Sequence, residues 1–120
     1  MNTYLIQSKR LYCLSLAELN KSKKANDEDI AREAAGKAWI ATTDAFRGFL
    51  FANDLKPKAF PKSERQRHDL LAQYGNPKMR ILYQSIMGEI HQNAYYEGII
   101  NYTHLFEAFY NVKKFIHRCE

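Results

Sequence analysis

The sequence predicts an all-α protein: an antiparallel four-helix bundle with a short additional helix. Two observations carry that prediction. Apolar residues recur at three- and four-residue spacing along four long segments. The breakers Pro57, Pro61, Gly75 and Pro77 gather in one connecting region, with no strand-like alternation, internal repeat or low-complexity tract on either side. A chain of 120 residues, 46% hydrophobic and 26% charged, suits one domain spanning 1–120 with one core.

The first helix is expected from about Thr3 to Lys21, with Leu5, Tyr12, Leu16 and Leu19 on its buried face and Tyr4, Leu11 and Ser15 beside them. Lys21 to Asn26 reads as a polar connection. Asp27 is the expected N-cap of a second helix, about Glu28 to Asn53, whose first turn holds Glu28 and Asp29 where the helix dipole favours them. This second helix carries a face of small residues, among them Ala31, Ala34, Ala35, Ala38, Ala41 and Ala45. Small side chains let neighbouring helices approach closely, which marks it as the central helix. Trp39, Phe46 and Leu50 widen its apolar arc, while Ile40 and Phe51 interrupt the polar face and are candidate subunit-interface residues.

A short helix is expected to start at Pro61 and end near Gly75. Asn76-Pro77 is a cap followed by a first-turn proline, and starts a helix with the stripe Met79, Leu82, Tyr83, Ile86, Met87, Ile90 and Ala94. Gly98 marks its C-terminal break. The last helix begins near Tyr102 or Thr103, with the seam Leu105, Phe109, Val112, Ile116 and Cys119.

Several chemistries lack their residues. No apolar run approaches the roughly 20 residues of a membrane span, and the N-terminus has no signal-peptide order. Cys13 and Cys119 are read as two reduced, buried thiols, which suits a cytoplasmic location. Neither Glu-x-x-His pairs, His-Glu-x-x-His nor paired Cys-x-x-Cys occur, so no metal or other cofactor is expected. A glycine-rich phosphate loop is missing too, as is a recognisable nucleophile turn.

The net charge of +5 is uneven: residues 51–80 hold seven cations against three anions. Lys62, Arg65, Arg67 and His68 in that stretch are the candidate nucleic-acid contacts, set against a solvated surface that keeps the segment soluble. His91, Tyr95, Tyr96 and Glu97 form the densest polar-aromatic cluster, either the lining of a pocket or a plug at a helix end.

The run Ile30-Ala31-Arg32-Glu33-Ala34-Ala35-Gly36-Lys37-Ala38-Trp39, followed by Ala45-Phe46, is similar to the second helix of HEPN-like bundles. The segment His91-Gln92-Asn93-Ala94-Tyr95-Tyr96-Glu97-Gly98 resembles the His-containing, double-aromatic stretch of a bacterial branch of unknown function in that superfamily, and also its archaeal PaREP-type branch. The resemblance implies a small bundle, often a homodimer, linked to toxin–antitoxin, defence or RNA-processing systems. Active HEPN ribonucleases carry Arg, four to six residues, then His; none of the seven arginines here has that spacing, and His117-Arg118 is reversed.

Three functions follow as expectations. The first is a non-catalytic, homodimeric module that binds a protein partner and no membrane. The second is RNA or nucleotide binding through 51–80. The third is an unconventional ribonuclease using His91, His68 or His117 as acid–base groups.

Overall fold

Asn2 opens the first helix twice over. Its side-chain oxygen accepts the Leu5 N–H, and its side-chain amide donates to the Gly48 carbonyl at 2.8 Å, tying the start of α1 to the end of α2. The computed structural model describes residues 2–120. Helix α1 runs Thr3–Ala25 and stops at Asn26, whose φ of 53° lies in the left-handed region that asparagine tolerates. Asp27 then caps α2, Glu28–Ala52, as expected.

The α1–α2 pair is antiparallel, with Asn2 opposite Gly48, Ser8 opposite Ala41 and Glu18 opposite Lys37. Its seam keeps Tyr12 and Leu19 of the expected α1 face but not Leu5 and Leu16. Ser8, Tyr12, Ser15, Leu19 and Ser22 are the buried residues, while Leu5, Leu11 and Leu16 are only half-buried. The serines sit seven residues apart and meet a stripe of small residues in α2: Ala31, Ala34, Ala38, Ala41, Ala45 and Gly48. A serine is tolerated there because its hydroxyl is satisfied locally. Ser15 and Ser22 donate to Tyr12 and Leu19 carbonyls, and Ser8 donates across the seam to the Ala41 carbonyl at 2.6 Å.

Beyond α2 the chain makes one 3₁₀ turn, Pro57–Ala59, and then α3, Glu64–Tyr74. Pro61 does not start α3, as the sequence had suggested; it lies buried before the helix, and Ser63 is the cap. Helix α4, Pro77–Ile86, is capped by Asn76 and continues directly into a ten-residue π-helical segment, Met87–Tyr96. An ordinary helix was expected here. The chain turns at Gly98, φ +67°, and α5, Tyr102–Cys119, completes the fold.

Helix α2 packs against α1, α5 and the π segment, which makes it the central helix. Around it Trp39, Phe46, Leu50, Tyr83, Phe109 and Phe115 fill one core. Strands are absent among the described residues, and none of the described helices is long and apolar enough to cross a membrane. Both cysteines are free thiols. Cys119 is buried and burial raises its pKa, but Cys13 is exposed, against the expectation of two buried thiols.

Candidate functional site

One array of aromatic and polar side chains runs from α3 through the core to the end of the π segment. It begins at Glu64, in the first turn of α3, and Arg67 one turn later. The buried Tyr83 of α4 donates its hydroxyl to Glu64 Oε1 at 2.6 Å and accepts from Arg67 Nε at 3.0 Å. Arg67 also donates to Glu64 Oε2 at 2.9 Å, closing a three-member network. Burial, then the contact with Glu64, pushes the Tyr83 phenol well above its ordinary pKa. Burial alone would lower Arg67, but Glu64 and Tyr83 outweigh it and its net shift is upward. This network holds α3 on α4 with all its charge paired.

The Tyr83 ring lies 5.5 Å from Trp39 of α2, and Trp39 stacks on the His91 imidazole at 4.5 Å and 15°. The π-helical winding explains what gathers around His91. Residues four and five positions on both return to it: Tyr95 lies parallel at 6.2 Å, and Tyr96 meets it edge-on at 4.8 Å. In an α-helix the fifth residue would point elsewhere. Burial lowers the His91 pKa, with Glu64 opposing the shift and Arg67 adding to it. Its Nδ1 is buried without a hydrogen-bond partner in the protein.

Beside this stack is an open cleft of about 330 Å³, lined by Glu33, Lys37, Trp39, Ile40, His91 and Tyr95, with Gly36 at its base. Gly36 is there for a steric reason. A Cβ at this position would lie 2.8 Å from two ring carbons of Tyr95, so only glycine lets the ring settle against α2. Arg32, one turn earlier, forks onto the last carbonyls of the π segment: Nε donates to Tyr95 O at 2.5 Å and Nη2 to Tyr96 O at 2.8 Å. A cation at a helix C-terminus satisfies carbonyls that have no helical partner. The cleft thus presents an indole, an imidazole and a phenol, with Glu33 in its lining and the Lys37 ammonium already paired with Glu18.

The sequence-derived candidates divide. His91 and Tyr95 line the cleft, Tyr96 stands next to it, and Glu97 is exposed outside it. Lys62 and Arg65 are exposed, whereas Arg67 turns inward to Glu64 and Tyr83. His68 is half-buried, edge-on to Tyr83 at 5.7 Å and 3.5 Å from Glu64. Ile40 is 50% exposed on the cleft rim, and Phe51, 44% exposed, rests against Tyr4 at 5.8 Å.

Sequence reasoning missed Arg32, Gly36 and Trp39 as members of this site, and missed the Glu64–Tyr83–Arg67 network. A glycine inside the second helix, Gly36, was the available signal. A second concave surface was missed as well. Lys78, in the basic stretch, joins Lys113, Lys114 and Arg118 of α5 in a groove that local charge counting along the chain does not reveal. Among the described residues no three His, Cys, Asp or Glu side chains converge as metal ligands. No family model, curated protein or solved structure matches the chain.

Proposed function

We propose that the chain is a non-catalytic helical module of HEPN-like architecture, an antiparallel four-helix bundle with α3 appended. It works as a homodimer and mediates protein interaction in a toxin–antitoxin, defence or RNA-processing setting. The observation that carries this reading is Ile40, an isoleucine half-exposed on the central helix that lines the same cleft as exposed Tyr95. Apolar side chains grouped around a cleft suit contact with another protein surface. C2 dimers are the commonest soluble assemblies, and an isologous contact needs only one such patch. Light scattering at high micromolar concentration is expected to give twice the chain mass, and Ile40→Glu to return it to monomer. A wild-type protein that stays monomeric throughout the range disproves self-association.

Nucleic-acid binding through 51–80 is a second reading, supported by Lys62 and Arg65, both exposed and without ion pairs among the described residues. Its signature is salt-sensitive binding of RNA that weakens in a Lys62→Ala, Arg65→Ala double variant. Equal binding at low and high salt removes it.

A further inference from the structure

The groove between α4 and α5 combines cations with exposed apolar side chains. It encloses about 890 Å³ and is bordered by Lys78, Lys113, Lys114 and Arg118, with Ile81 and Tyr110 between them. No carboxylate lines it, and none of its four permanent cations has an ion-pair partner among the described residues. The floor is apolar and open: Ile81 is 67% exposed and Tyr110 57%. Helical spacing produces this arrangement, because Lys78, Ile81 and Leu82 share one face of α4 and Tyr110, Lys113, Lys114 and His117 one face of α5. One lysine on α4 and three cations on α5 therefore flank Ile81 and Tyr110.

We propose that this groove docks an acidic amphipathic helix of a partner protein, its apolar stripe on Ile81 and Tyr110 and its carboxylates against the lysines and Arg118. The inference rests on the reading of the chain as an interaction module but uses a surface separate from the Ile40 cleft. Charge complementarity selects an anionic partner. The floor selects a peptide over a nucleic acid. A phosphate backbone gains nothing from an exposed isoleucine, and Lys114 already sits 4.8 Å over one face of the Tyr110 ring. A helix with apolar anchors at i, i+3 and i+4 and acidic flanks uses every element of the groove. From Tyr110 to Arg118 the α5 wall is roughly 12 Å long at about 1.5 Å per residue, so two to three turns of partner helix suffice.

The probe is a displayed library of random peptides about 15 residues long, long enough to span the wall as a helix. Selection on the full chain is expected to enrich sequences with net negative charge and a helical apolar stripe. A chosen peptide, measured by fluorescence anisotropy, should bind about tenfold more weakly to Lys113→Glu, Lys114→Glu and lose affinity again at high salt. Ile81→Ser should weaken it several-fold at every salt concentration. Ile81 and the two lysines are exposed, so these variants are expected to keep the wild-type circular dichroism and melting transition. No enrichment, enrichment of neutral or basic sequences, or binding unchanged in both variants overturns the proposal. A single-stranded RNA that binds this groove more tightly than the peptide, indifferent to Ile81→Ser, overturns it in favour of nucleic acid. Peptide binding is read on Ile40→Glu as well, so failure of the dimer and failure of the groove are told apart.

Discussion

The ring of Tyr95 occupies the space in which Gly36 would carry a side chain, with two ring carbons 2.8 Å from where a Cβ would be built. The two residues are 59 positions apart in sequence, and their contact fixes how the π segment meets α2. Glycine inside a helix costs about 1 kcal/mol relative to alanine, so this position gives up local stability for a close approach.

That trade predicts a change of sign. In a Tyr95→Ala background, Gly36→Ala is expected to stabilise the protein by about 1 kcal/mol through helix propensity. In the wild-type background the new methyl displaces the ring, and the gain should vanish or reverse. Urea unfolding of the four proteins measures the coupling. Equal effects in both backgrounds would show that the ring does not depend on the glycine.

The serine seam responds to size more than to polarity. Ser8→Ala loses one hydrogen bond to Ala41 and should cost about 1 kcal/mol. Ser15→Leu, at a fully buried seam position, should cost about 1–3 kcal/mol or more, because the helices must part to admit it. Midpoints of chemical denaturation compare the two, and a neutral Ser15→Leu would contradict close packing there.

Tyr83→Phe keeps the ring in the core but leaves Glu64 and Arg67 short of a partner. A loss of about 1–3 kcal/mol is expected. The same bond has an optical consequence. Burial and Glu64 hold the phenol neutral, so an alkaline absorbance titration of wild type should show one more tyrosine that resists ionisation than Tyr83→Phe does.

His91 makes stability depend on pH. Its folded pKa lies below the ordinary histidine value of about 6.5, through burial first, with Glu64 opposing and Arg67 reinforcing. The unfolded chain therefore takes up the proton at a higher pH than the folded one. The stability this group contributes is complete above its unfolded value and declines as pH falls through that value toward the folded one. Melting temperatures between neutral and mildly acidic pH should fall less steeply in His91→Gln than in wild type. Tyr95 and Tyr96 pack on the imidazole, and His68 lies 3.5 Å from Glu64 in both proteins. Parallel slopes would remove His91 as the source.

Much of the architecture was legible because helix boundaries are local chemistry. Asp27, Asn76 and Gly98 each signalled an end or a start through one side chain or its absence. In the seam of α1, Tyr12, Leu19 and the adjacent Ser15 were legible, but Ser8 and Ser22 were not, since a serine counts as polar until its hydroxyl is seen to bond a carbonyl. The π winding was hidden for another reason: Met87 to Tyr96 has the apolar spacing of an ordinary helix, and its register is set by packing on α2. At the candidate site, His91, Tyr95 and Tyr96 stood together in the chain. Arg32, Gly36 and Trp39 reach them from more than fifty residues away, and the basic groove joins Lys78 to α5 in the same non-local manner.

The α1–α2 hairpin has a consequence in time. Only Asn26 and Asp27 separate its helices, so the seam from Asn2–Gly48 to Glu18–Lys37 zips from a closed end with almost no loop entropy to overcome. Helix α5 must instead be recruited across the whole α3–α4 connection before Phe109 and Phe115 reach the core. Local pairing is expected to form before distant pairing, with the alanine and serine ribbon as the template and the last helix arriving on a surface already made.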